Sequence, residues 1–145
     1  MSAIFHSGKF EITDDKGSVS FTGAVEKEKS VKSVFWVNIT YFTEGFVSMA
    51  FSSVELRAFA NHLKALYFDR SLRYSKTSGG TKTHKVLTIE IMDVYFKIVI
   101  THGSKRYETS ILCDEMEALS QEITSLTNYT ATNCYKTQQH FERKK

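Results

Sequence analysis

The chain carries 145 residues, 41% of them apolar and 13% aromatic, with a net charge of +3, a globular composition rather than a disordered one. No run approaches the roughly 18 apolar residues of a membrane span, and Met1 to Phe10 lacks the apolar stretch of a signal peptide; the expected location is intracellular, in cytoplasm or nucleoid, or in the host cytoplasm for a viral protein. Cys113 and Cys134 stand alone with no Cys-x-x-Cys pair, which argues against a disulfide framework and for two reduced thiols.

With no proline anywhere, the turns must rest on Gly, Asn, Asp and Ser. Ile4 to Thr13 alternates Phe10 and Ile12 with Lys9 and Glu11, and Asp14-Asp15-Lys16-Gly17 is a hairpin signal. Ser18 to Val25 places Val19, Phe21, Gly23 and Val25 on one face, the period of a strand with one side buried. The charged segment Glu26 to Lys32 reads as a loop. Val34 to Phe42 and Phe46 to Phe51 follow as strands around a turn at Thr43-Glu44-Gly45. Ser52-Ser53-Val54-Glu55 is a capping box that opens a helix to about Tyr67.

The second half repeats this order: Ser71 to Lys76, a polar loop Thr77 to Thr81, Lys82 to Met92, Val94 to His102, a turn at Gly103-Ser104-Lys105, and Arg106 to Leu112. Asp114-x-x-Glu117 then caps a second helix. The helix stripes Leu56, Phe59, Leu63, Leu66 and Met116, Leu119, Ile123, Leu126 share one spacing at an offset of 60, and Phe35, Val37, Ile39 match Phe96, Ile98, Ile100 at 61. Self-similarity of this kind marks an internal duplication. The expected fold is α+β, with tandem ββββα repeats forming two antiparallel four-stranded sheets, each covered by one helix and packed pseudo-symmetrically. Residues 1–68 form the first repeat, 69–127 the second, and 128–145 a polar, basic tail that frays at its end.

An amphipathic helix covers one sheet face, leaving the other for water, for the sister repeat, for a second copy in a homodimer or for a ligand. The alternation points Trp36, Asn38, Thr40 and Phe42 away from the first helix, and Tyr95, Lys97, Val99 and Thr101 away from the second, with Arg106 and Glu108 on the next strand. Such a face is too aromatic for a plain solvated surface.

Gly45 to Leu56 and its echo Tyr107 to Met116 resemble the strand-to-helix junction of the ββββα proteins typified by transcriptional positive cofactor four, Pur-alpha and Whirly. The similarity extends over residues 4–126, and tandem copies resemble the Pur-alpha and Whirly arrangement. The resemblance implies single-stranded DNA or RNA as the partner, with roles in transcription, replication or recombination. The chain departs from it in lacking the Lys-Gly-Lys signature of plant Whirly proteins and in carrying fewer basic residues.

Trp36, Phe42, Tyr95 and Lys97 are candidates for a stacking platform, since every base has a π-face; the same residues also suit an interface between the repeats. Residues 1–70 hold 8 Lys/Arg against 8 Asp/Glu, whereas 71–145 hold 11 against 8 and carry the whole +3. Arg70, Arg73, Lys76, Lys82 and Lys85 form an acid-free run around Gly79-Gly80 that can follow a phosphate backbone or form a solvated hairpin tip. Lys105 and Arg106 extend the candidate surface. The five histidines and two cysteines show no metal-ligand spacing and no catalytic constellation is present. The expectation is a binding protein, not an enzyme, without cofactor, metal, small-molecule substrate or membrane partner. The alternative is a protein-interaction module, such as a phage or mobile-element inhibitor that blocks a partner's nucleic-acid site.

Overall fold

The computed structural model describes residues 3–27, 29–41, 45–78 and 84–143. Asp14 organises the first hairpin, its Oδ1 accepting from the backbone N–H of Lys16 at 2.8 Å and of Gly17 at 2.9 Å. This turn joins β1 (Ala3–Thr13) to β2 (Gly17–Lys27). A Cβ at Gly17 would lie 2.0 Å from the Thr40 carbonyl oxygen, so only glycine fits where the strands approach there. β3 (Val31–Tyr41) and β4 (Gly45–Phe51) complete an antiparallel meander in the order β1-β2-β3-β4. Gly45 adopts a φ of +94° at the start of β4, a conformation that favours glycine.

The capping box forms as its residues dictate. The Glu55 N–H donates to Ser52 Oγ at 3.1 Å and the Ser52 N–H to Glu55 Oε1 at 2.9 Å, opening α1 (Ser53–Phe68). Its stripe of Leu56, Phe59, Leu63 and Leu66 is buried. The second repeat follows with β5 (Ser75–Ser78), β6 (Lys85–Ile91), β7 (Tyr95–His102) and β8 (Lys105–Leu112), in the order β5-β6-β7-β8, and then α2 (Met116–Arg143). The ββββα unit thus occurs twice, in two antiparallel four-stranded sheets.

Four differences from the sequence-based expectation bear on how the chain packs. The expected loop at 26–32 is a tight connection, with Lys27 in register with Val31, because Val25 and Val31 are buried in a small cluster with Cys134. The strand expected over Ser71 to Lys76 runs from Ser75 to Ser78, taking in Thr77 and Ser78 of the expected loop, and residues 71–74 do not join the sheet. Asp114 does not cap α2: Cys113–Glu115 form one 3-10 turn with no side-chain cap, and the Cys113 N–H donates to the Val94 carbonyl at 3.0 Å.

The fourth difference is the largest. The segment expected as a tail from residue 128 continues α2 as far as Arg143. Its buried face runs on from Leu126 through Thr127, Thr130, Cys134 and Thr137, with Phe141 packed on the Val25 and Val31 cluster. That stripe keeps helical spacing, but threonines and a cysteine hide it from an apolar count. Gly8 and Gly23 make room for it on the first sheet, where a Cβ at Gly23 would sit 2.5 Å from Thr130 Oγ1 and one at Gly8 3.2 Å from Leu126 Cδ1. Helix α2 therefore lies against β1, β2 and β3 of the other repeat as well as against α1. One core cluster contains Phe21, Phe35 and Phe59 of the first repeat with Phe96, Ile98, Ile111 and Ile123 of the second.

Candidate nucleic-acid interface

Both sheets turn one face to this shared core, as the alternation requires: Phe35, Val37, Ile39 and Phe96, Ile98, Ile100 are all fully buried. Trp36 projects from the opposite, outer face of the first sheet, half-buried, with Thr22 and Ala50 as its cross-strand neighbours. Both are small, so neither cross-strand side chain is large enough to cover the whole indole. Trp36 makes no ring pair or cation–π contact among the described residues. Around it the face is polar and nearly charge-neutral: Asn38 Nδ2 donates to Ser20 Oγ at 3.3 Å, Lys9 pairs with Glu11 at 3.4 Å, and Lys32 stands in register with Glu26. Phe46, on β4, is 67% exposed.

The outer face of the second sheet is built differently. Arg106 on β8 reaches across β7 to Glu90 on β6 in a bidentate pair, Nη1 to Oε2 at 2.9 Å and Nη2 to Oε1 at 2.7 Å. Its Nε donates to Glu108 Oε2 at 2.8 Å, and Lys97 Nζ donates to Glu108 Oε1 at 3.2 Å. The register places Val99 beneath this bridge, between Thr88 and Glu108, and Val99 is fully buried although it belongs to the outer face. The Arg106 stem thus roofs an apolar spot while its head pairs with acid.

Two cations and two carboxylates close this network to zero charge. Hydrogen bonds from Arg106 hold the Glu90 carboxyl below its ordinary value. At Glu108 partial burial works against ionisation, yet the hydrogen bonds from Arg106 and Lys97 outweigh it and the net shift is downward. The same carboxylate partners raise the Arg106 pKa.

The basic run is not one surface. Lys76 and Lys85 lie on the inner side of the second sheet, in register with the Leu87 side of the β5–β6 pair. The Lys76 side chain, 12% exposed, pairs with Glu55 Oε2 at 2.5 Å and places its ammonium 4.9 Å from the centre of the Phe51 ring. Lys76 is the main reason the Glu55 carboxyl is lowered, with the Ser52 N–H adding to it. Lys85 donates to the Ser48 carbonyl of β4 at 2.7 Å. Both lysines tie the second sheet to the first repeat. Arg73 is exposed and donates to the carbonyls of Ser71 and Leu72 at 3.0 and 3.2 Å. Lys105 is exposed at the start of β8, and Tyr95 is half-buried at the start of β7. Phe42 and Lys82 lie outside the described residues.

Of the described candidate residues, Lys97 and Arg106 are brought together, and they meet through Glu108. Trp36 belongs to the outer face of the other sheet. The contacts that sequence reasoning missed join the repeats: the Glu108 N–H donates to Tyr41 Oη at 2.6 Å, the Ser110 N–H to Asp14 Oδ2 at 3.4 Å, and Tyr41 stacks on Tyr107 at 5.8 Å. Glu90 had a signal, since alternation puts it on the same face as Lys97. The described residues contain no group of three or more His, Cys, Asp or Glu able to hold a metal, and no helix long and apolar enough to cross a membrane. No model of a known protein family and no curated protein sequence matches the chain.

Proposed function

We propose that the protein binds single-stranded DNA or RNA on the outer face of its first sheet, around Trp36. The observation that carries this reading is the indole itself, half-buried between small cross-strand neighbours on a face of hydroxyls and amides. An aromatic ring on the face of a sheet can stack on a base without reading its identity. The tandem ββββα arrangement agrees with the resemblance to positive cofactor four, Pur-alpha and Whirly. Because the cations on this face are matched by Glu11 and Glu26, stacking and hydrogen bonding dominate over phosphate neutralisation.

Trp36 is the sole tryptophan, so its fluorescence reports on the site directly. Titration with unlabelled oligothymidylate is expected to quench it, and Trp36→Ala to weaken binding by about 1–3 kcal/mol in anisotropy with a labelled strand. The salt dependence should be shallow, on the order of one or two phosphates. Unchanged affinity in Trp36→Ala with an intact circular-dichroism spectrum removes this face from the function. The rival reading, a protein-interaction module, is favoured by the closed ion network, which leaves Lys97 and Arg106 with no free charge for phosphate. Absence of oligonucleotide binding even at low salt supports it.

A further inference from the structure

We propose that the groove between residues 70–75 and the end of β6 takes an extended acidic segment of a partner protein, added as a strand beside Ile89–Ile91. Strand β7 pairs with β6 along its whole length to Ile91, but β5 pairs with it only from Lys85 to Thr88. Beyond Thr88 the outer edge of β6 has no neighbouring strand among the described residues. No backbone hydrogen bond joins residues 70–74 to Ile89–Ile91 among the described residues. Between them lies a groove of about 740 Å³. A bare strand edge is a template for another chain, and proteins ordinarily occupy or blunt it. This molecule does so elsewhere: Tyr41 and Asp14 take the outer N–H groups of β8, and Lys85 takes a β4 carbonyl.

The lining selects the occupant. Leu72, Ile91 and Met92 line it with apolar side chains, and Arg70 and Arg73 line it with positive charge. Both arginines are steadied by carbonyl oxygens, Arg70 by Asp93 at 2.7 Å and Arg73 by Ser71 and Leu72. A carbonyl orients a guanidinium without cancelling its charge. The one carboxylate in the lining, Glu90, is already held by Arg106. An incoming segment therefore gains by alternating acidic and apolar residues, main chain on the β6 edge and acids toward the arginines, as in other strand-addition sites. A nucleic acid offers the arginines phosphate but has no backbone to complete a β ladder.

This site is separate from Trp36, so its test separates from that of the first sheet. The probe is a short labelled peptide alternating Glu and Val, with a Lys and Val peptide and oligothymidylate as comparisons. The Glu peptide is expected to bind wild type and Trp36→Ala alike, and to slow amide hydrogen exchange at Ile89–Ile91. Arg70→Glu with Arg73→Glu should weaken it roughly tenfold, as two exposed charge pairs reversed, and the same double variant should gain affinity for the Lys peptide. That charge swap shows the variant is folded. Equal affinity for both peptides, unchanged exchange at these amides, or protection there by oligothymidylate instead of peptide overturns the proposal.

Discussion

Arg106 shows how a residue read as a phosphate contact becomes part of the protein's own electrostatics. Glu90 and Glu108 have depressed folded-state pKa values, so they contribute stability above the ordinary glutamate value of 4.5, and that contribution is lost as pH falls through the folded values. Arg106→Met keeps a stem over Val99 and removes the charge. It is expected to cost about 0.5–1 kcal/mol at neutral pH, the scale of a partly exposed network. The gap from wild type should close as the pH is lowered toward 3, read by urea melts at each pH; a gap that is flat or widens on acidification means the pairs contribute nothing. Trp36 was legible because period two alone assigns its face. Lys76 and Lys85 were not, because their partners, Glu55 and the Ser48 carbonyl, belong to the other repeat and no local spacing encodes them.

At the scale of elements, strong signals were read correctly where they are local. The Asp14 turn and the Ser52 capping box are contained within four residues each, and both form. The second half of α2 was missed because Thr127, Thr130 and Thr137 are polar by type, though all three are buried and Thr130 rests against Gly23 of the first sheet. The complementary signal lay a hundred residues away, in Gly8 and Gly23. Gly23→Ala tests this docking directly. Its Cβ would meet Thr130 Oγ1 at 2.5 Å and Phe35 Cε1 at 2.9 Å, an overpacking expected to cost about 1–3 kcal/mol. Adding Thr130→Ala removes one of the two clashes, so denaturant melts should show partial recovery in the double variant; a neutral Gly23→Ala would mean that α2 does not rest there.

For the whole molecule, the duplication set the topology but not how the repeats depend on each other. Repeats of this size bury only about 60% of their unfolded surface when alone, and the ties found here all run between them. The β8 edge is finished by Tyr41 and Asp14, the second sheet is anchored by Lys85 on Ser48 and Lys76 on Glu55, and residues 127–141 of α2 fill the glycine groove of the first sheet. Fragments 1–68 and 69–145 are therefore each left with an open core. The first loses the helix over Gly8, Gly23 and Val25, and the second loses the surface that buries Thr130 and Cys134. Neither fragment is expected to melt cooperatively alone, and 69–145 should lose helical circular dichroism well beyond end fraying, since an isolated polar helix is marginal in water. Mixing the two should restore both the helical signal and a single transition, with a midpoint that rises with concentration. A fragment that unfolds cooperatively by itself at the full-length temperature would show two independent cores and sink the shared one.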